Sequence, residues 1–406
     1  MTNAHAYRWS EIADFLAAEG HYIEVVTSRC TGNFVELDVD ATLKINRVGF
    51  GANNTDVSVA NNKKSKYDFF IRLARRIYRK VYWPDARWHW VLYLIKYAFS
   101  AKNKNFDLIV SYYPFMSSHI MGALLKFLKK DAVVWISDYG DPFSVSNTMP
   151  PNNFAIYSAL NHWLEKLIIN NSDCVTFTNS ETRDTYSRVF GGGGKLSVVP
   201  HLVDLDKYYS TAFVSKEEKP INVVYTGGFH KSIREPYDLI DIMEVLEKDT
   251  PSNCTLTLYG PDNGFSLDQT GIANILYAGE ISRRDVIGVM KTADVLVNVE
   301  NKNCMMTPSK IVEYIATGRP IINLGDAGKH TPLLVEYAKI GYALNLSVKD
   351  GPVINAFRIK EFLAQSTMLT CPISVVKNIL KFNRIEEVSS TYLNLYEERR
   401  RGGGLR

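Results

Sequence analysis

Short β-branched runs alternate along this chain with stretches of helical periodicity, and that alternation limits the fold more than any other feature of the sequence. The first half carries "YIEVVTS", "FDLIVSYY", "AVVWISD", "CVTFTNS" and "LSVVP"; the second carries "INVVYTG", "CTLTLYG", "ILYAG", "DVLVNV" and "PIINLG". Continuous apolar strands separated by helices mark parallel sheets that are covered on both faces. Two such series predict an α/β chain of two Rossmann-like, doubly wound parallel-sheet domains. The series change over in the polar, aperiodic segment 201–220, which reads as a linker. The expected domains are therefore 1–205 and 206–375, followed by a helical tail, 376–406, that packs back across the first domain.

A length of 406 residues suits two such domains, each with its own core. An apolar share of 46%, a charged share of 22% and a net charge of +4 are those of a folded soluble protein. Five widely spaced cysteines, none in CxxC spacing, support neither a disulfide framework nor a zinc site, and a reducing cytoplasm fits them. No basic and apolar secretory leader opens the sequence, and no apolar run reaches the roughly 18 residues of a spanning helix. Any membrane contact is expected to be peripheral.

In open parallel sheets, ligands sit beyond the C-terminal ends of the strands. The stretch "TPSKIVEYIATGRPII" follows the strand "DVLVNV". Thr307 is placed to cap a helix, Pro308 suits its first position, and Gly318 lies where a left-handed residue stops it. Such a helix start, with Ser309 and Lys310 beside it, offers N–H groups and positive charge to a phosphate or sugar oxygen. Glu313, about one and a half turns on, is able to accept two ribose hydroxyls if it faces inward. A plainer alternative makes Thr-Pro-Ser a capping device and Glu313 a solvated helix acid. Gly227 and Gly228 in "TGGFHKSIREP" let backbone approach a ligand, with Lys231 and Arg234 close behind.

Across these motifs the sequence resembles group 1 retaining glycosyltransferases of the GT-B fold, the glycogen synthase and sucrose synthase-like superfamily, in its bacterial surface-polysaccharide type. The pattern Pro-Ser-Lys-x-x-Glu-Tyr-x-Ala-x-Gly-x-Pro carries the resemblance, together with "VVYTGGFH", "LTLYGPD", "YAGEISRRDVIGVMKTADVLVNV" and "GRPIINLGD". It implies two domains facing a central cleft, the second binding a nucleotide sugar and the first an acceptor. It further implies that Glu313 binds the donor ribose, that Thr307 to Lys310 face the diphosphate and sugar, and that Lys231 and Arg234 neutralise the leaving diphosphate without metal or other cofactor. Many relatives carry a second acid eight residues before Glu313, where this chain has Met305. The first strand expected of the N-terminal domain, with its Gly-rich loop, is missing ahead of "AYRWSEIADFLAAEG".

Asp138 and Asp141 in "SDYGDPF" follow a strand and precede a proline, where a group facing the cleft would stand. They are expected to orient the acceptor hydroxyl or take its proton, or else to shape an Asp-Pro turn. His119, in "SSHIMG", follows another strand and is a further catalytic candidate or a structural histidine. Residues 63–104 hold twelve Lys or Arg against Asp68 and Asp85. Helical projection sets Arg72, Arg75, Arg76 and Arg79 opposite an apolar face, with Trp83 beyond, a pattern suited to an anionic inner-membrane surface or to an ordinary helix with a basic outer side. No nucleic-acid recognition motif accompanies these charges.

The expected function is transfer of a sugar from a nucleotide-sugar donor, a UDP-sugar by preference, to a hydroxyl of a lipid-linked glycan acceptor at the inner face of the cytoplasmic membrane. The alternatives are a nucleotide-sugar 2-epimerase and a non-catalytic binding protein of the same fold.

Overall fold

The computed structural model describes residues 4–31, 43–53, 78, 81–146, 148, 150–210, 220–249, 254–366 and 370–403. The chain divides into two compact units, Met1–Pro200 with Val388–Arg406, and His201–Glu387. Residues 211–219 of the segment read as a linker lie outside the described residues.

The first unit runs α1 (Ala4–Ala18), β1 (Ile23–Thr31), β2 (Leu43–Asn53), α2 (Trp90–Ser100), β3 (Leu108–Tyr113), α3 (Met116–Lys129), β4 (Val134–Tyr139), α4 (Phe154–Asn171), β5 (Cys174–Phe177), α5 (Ser180–Phe190) and β6 (Leu196–Val198). Strands β3 to β6 pair in sequential order as a parallel sheet, while β1 and β2 form a separate parallel pair. Side-chain packing bridges what hydrogen bonds do not: Val26, Val48 and Ile109, from β1, β2 and β3, all pack on the cluster of Leu94, Ala98, Met121 and Leu125 beneath α2 and α3. Strand β2, "LKINRVGFGAN", was not among the strands expected from the sequence.

The second unit runs α6 (Leu205–Tyr208), β7 (Ile221–Thr226), α7 (Tyr237–Asp249), β8 (Cys254–Tyr259), β9 (Ile275–Gly279), α8 (Arg283–Thr292), β10 (Val295–Val299), α9 (Lys310–Ala316), β11 (Ile321–Gly325), α10 (Pro332–Lys339), β12 (Ala343–Ser347), α11 (Gly351–Ser366) and α12 (Ile373–Ile379). Its six strands are all parallel, in the order β12-β11-β10-β7-β8-β9. Alternate residues of one strand feed two cores. Val223 and Tyr225 of β7 point to one face with Val295, Val297 and Val299 of β10. Val224 and Leu296 point to the other, with Ile311 and Ile315 of α9. Burial on both faces explains why these strands read as continuous apolar runs rather than as alternation. The strand order reverses between β7 and β10, so the ligand crevice of this sheet lies at the C-terminal ends of those two strands.

The last helix, α13 (Ile385–Gly403), returns from Val388 onward to the first unit. Arg8 of α1 holds it there, donating to Tyr392 Oη at 2.8 Å and to the carbonyls of Val199 and Pro200 at 2.9 and 2.7 Å. Trp9 packs on the Tyr392 ring, with centroids 4.8 Å apart. Among the described residues, no helix is long and apolar enough to cross a membrane.

Candidate functional site

At the switch point of the second sheet, β7 ends at Thr226 and the chain turns through Gly227, whose φ of +117° is open to glycine and strained for other residues. A second glycine faces it: a Cβ on Gly260 would stand 2.4 Å from the Gly227 carbonyl oxygen. The two backbones therefore touch, and Gly227 N–H donates to the Tyr259 carbonyl at 2.8 Å. His230 and Arg234 then pair N–H to carbonyl in both directions, at 2.8 and 2.9 Å, which folds the loop back on itself. The returned Arg234 guanidinium donates to the Gly228 carbonyl at 3.0 Å.

Lys310, the first residue of α9, comes into the same place. Its ammonium lies 3.9 Å from the Tyr225 ring centroid and 3.5 Å from the Thr226 carbonyl oxygen. The side chain is buried, and burial, then the Arg234 charge, push its pKa well below the usual lysine range, with Glu313 opposing. The half-buried His230 is pushed down by burial and by the charges of Arg234 and Lys310. Among the described residues no carboxylate lies within ion-pair distance of Lys310 or Arg234. Two unneutralised cations beside a glycine turn form a receptor for an anion with several oxygens.

Several expectations need correction in this unit. Thr307 does not cap the helix: its carbonyl accepts from His201 Nε2 at 2.9 Å, and α9 begins at Lys310, with Ser309 in helical conformation and no side-chain cap. Gly318 does stop the helix, at φ +74°. Glu313 is neither a solvated acid nor a free carboxylate. Arg283 of α8 grips both its oxygens, Nη1 to Oε2 at 3.0 Å and Nη2 to Oε1 at 2.5 Å, and also donates to Tyr208 Oη. Lys231 is exposed, whereas Lys310 is buried and Arg234 half-buried. Neither Arg283 nor His230 was singled out from the sequence, because no local spacing ties them to Glu313 or Lys310.

The first unit separates residues that the sequence grouped. Asp138 is fully buried and spent on structure: Oδ2 accepts from Trp9 Nε1 at 2.8 Å and lies 3.5 Å from Arg8 Nε, while Oδ1 accepts from Thr176 Oγ1 at 2.7 Å. His119 is buried too, its Nδ1 on Ser111 Oγ at 2.7 Å and its ring between Tyr113 and Tyr139. Burial lowers its pKa to about 3, so it stays neutral and has no route to a substrate proton. Neither residue fits a catalytic role. Asp141, past the end of β4, is half-buried. The loop after it is fixed by Glu165 of α4, which accepts from Ser144 N at 3.0 Å, from Ser144 Oγ and from Tyr186 Oη at 2.5 Å. Tyr186 Oη in turn accepts from Phe143 N–H at 2.9 Å.

Arg72, Arg75, Arg76 and Arg79 lie outside the described residues. Trp83 is a core residue rather than a membrane anchor: its indole N–H donates to Asn161 Oδ1 at 2.9 Å, and the ring packs against the cluster around Tyr113 and Phe143.

Residues 6–207 match the sequence family described as Glycosyltransferase Family 4. No curated protein matches the chain. Among solved structures it is similar to sucrose-phosphate synthase from Thermosynechococcus elongatus, at 16% identity and a TM-score of 0.63 over 98% of this chain and 93% of that one. A glycosyltransferase from Rickettsia africae is similar at 11% identity and a TM-score of 0.59, over 96% and 93% of the two chains. HepE from Anabaena, solved in complex with UDP, is similar at 11% identity and a TM-score of 0.57, over 93% and 100%. At these identities the likeness is one of fold, two parallel-sheet α/β units of the GT-B type.

Proposed function

We propose, from the premise that this chain is a glycosyltransferase carrying a Glycosyltransferase Family 4 domain over residues 6–207, that it moves a sugar from a UDP-sugar to a hydroxyl of a lipid-linked glycan in surface-polysaccharide synthesis, with retention and without a metal. The observation that carries this reading is the pair Lys310 and Arg234, two basic side chains at the switch point of the second sheet with no carboxylate in ion-pair distance among the described residues. A donor diphosphate supplies the missing negative charge. As the glycosidic bond breaks, charge grows on that diphosphate, and cations already fixed in a desolvated place stabilise it without reorganising. With Lys310 protonated as the donor binds, it and Arg234 set positive charge where the diphosphate develops its own. The Anabaena neighbour's UDP supports a uridine diphosphate donor, and the sequence resemblance supports retention.

Glu313 keeps a part in this reading. A carboxylate offers about four lone-pair positions and the Arg283 fork takes two, which leaves two to accept ribose hydroxyls while Arg283 fixes their direction. Asp141 is the remaining acid of its loop for orienting the acceptor hydroxyl or taking its proton, with Glu165 and Tyr186 holding the backbone behind it. The acceptor, on a lipid carrier, is met at the inner face of the cytoplasmic membrane. The match to a glycosyltransferase family does not favour the epimerase or the binding-only alternative.

Thermal melting with millimolar UDP-, GDP- and dTDP-sugars tests the reading. A ligand held only by the folded chain raises the midpoint in proportion to RT ln(1 + [L]/Kd). One or more UDP-sugars should raise it while GDP- and dTDP-sugars leave it in place. No shift with any UDP-sugar overturns the assignment.

A further inference from the structure

Residues 300–309 join β10 to α9 and lie in neither strand nor helix. Two side chains hold consecutive carbonyls near the end of this loop: Asn301 Nδ2 donates to the Met306 carbonyl at 2.9 Å, and His201 Nε2 to the Thr307 carbonyl at 2.9 Å. The first donor belongs to the loop itself. The second stands 106 residues away, at the start of the second unit. A carbonyl oxygen only accepts, so Nε2 of His201 carries the proton of this bond, and a neutral imidazole is enough to make it.

His201 is itself held in place. Its carbonyl accepts from Nδ2 of the buried Asn383, between α12 and α13, at 2.7 Å. Val203 N–H donates to the Asn383 carbonyl at 2.8 Å, and Ile385 N–H returns to the Val203 carbonyl at 3.2 Å. The chain that opens the second unit and the chain ahead of α13 therefore pair in parallel at Val203 and Arg384. This pairing is the footing from which the imidazole reaches Thr307. Seven residues on, Tyr208 accepts from the Arg283 that grips Glu313, so the same opening segment meets the proposed donor site at both ends.

The short piece of chain after Thr307 passes its position on. Pro308 has a ring-locked φ, Ser309 is already helical, and Lys310 comes next. Ser309 makes no side-chain cap, so the start of α9 takes its place from the residues ahead of it. Lys310 Nζ has to arrive 3.9 Å from the Tyr225 ring centroid, and a shift of the helix start by about 1 Å is enough to spoil that approach.

The geometry points to His201 as a positioning residue of the donor site, one that sets Lys310 in place through the Thr307 carbonyl. This deepens the proposed function and rests on its reading of Lys310 as a receptor for the donor diphosphate.

Two substitutions and two readouts test it. Gln at position 201 keeps an N–H donor at nearly the reach of Nε2, whereas Ala removes it. With lysines labelled with ¹³C at Cε, the Lys310 signal, assigned by its loss in Lys310→Met, should be displaced by the Tyr225 ring in the unliganded wild type. It should move toward the other lysines in His201→Ala and stay near its wild-type place in His201→Gln. UDP should bind about tenfold more weakly to His201→Ala and nearly as well as wild type to His201→Gln, with the circular dichroism of all three alike. An unmoved Lys310 signal in His201→Ala, an unchanged UDP affinity of that variant, or a Gln variant no better than Ala overturns the proposal. If the wild type itself binds no UDP, the donor reading fails, and the lysine signal, read without ligand, still supports or refutes the placement of Lys310 by His201.

Discussion

Lys310 Nζ lies 3.9 Å from the centroid of the Tyr225 ring, a basic group set over an aromatic face with no carboxylate within ion-pair distance among the described residues. An ammonium group with its side chain taken out of water loses hydration that one ring face and a carbonyl at 3.5 Å return only in part. This is why its pKa falls, and why an incoming diphosphate has a large effect on it. The same geometry makes Arg234 its neighbour in charge rather than its partner.

Donor binding should therefore take up protons. Burial and Arg234 depress the Lys310 pKa in the free protein, and a bound dianion raises it again, so part of the population gains a proton on binding. Calorimetric titration of UDP in buffers of different ionisation enthalpy measures this uptake, which should grow, and affinity fall, as pH rises. An enthalpy independent of buffer contradicts this account of Lys310.

Asp138 and Asp141, three residues apart, should respond to substitution in opposite ways. Asp138→Asn strips a buried charge from Arg8, and breaking such a pair costs about 3 to 5 kcal/mol. Its denaturant midpoint should drop, while the protein that remains folded turns over at near the wild-type rate. Asp141→Asn, at a half-buried position, should cost less stability than Asp138→Asn and lower kcat by about a hundredfold or more. Unfolding curves and initial rates on the two variants separate these patterns.

Glu165 carries its own pH signature. Burial raises its pKa from 4.5 to about 7, against the opposing hydrogen bonds from Ser144 and Tyr186. Its folded pKa lies above its unfolded one, so the folded state binds more protons between about pH 4.5 and 7, and stability falls as pH rises through that window. The shift corresponds to about 3 kcal/mol in all. Glu165→Gln should flatten the dependence over this window, whatever it does to stability overall; urea midpoints at pH 5 and 8 compare the two proteins.

Parallel strands were legible because both of their faces are buried, which writes them as apolar runs; β7, β8, β10 and β11 all carry this pattern. Strands β2 and β12 were less so. "ALNLS" mixes polar residues into a short edge strand, and "LKINRVGFGAN" is interrupted by charge and glycine, so neither reads as a covered strand. The glycine stop of α9 was visible in the sequence, since only a left-handed residue fits there. The start was not: the helix begins at Lys310, and Thr307 stands ahead of it with its carbonyl accepting from His201, 106 residues earlier. Asp138 and Asp141 look alike as sequence, and what buries the first comes from α1, where Arg8 and Trp9 reach it across some 130 positions. Arg283 was hidden for the same reason: it meets Glu313 through the packing of two helices, which no spacing within either one encodes.

Titration of UDP into the wild type, Lys310→Met and Arg234→Met tests the central claim most directly. Methionine keeps most of the length of either stem and removes the charge. If these two cations receive the diphosphate, each substitution should weaken UDP by about tenfold or more, as expected for a lost charged hydrogen bond, with the melting temperature of the unliganded protein unchanged or raised for Lys310→Met. UDP bound as tightly by both variants as by the wild type would contradict the account.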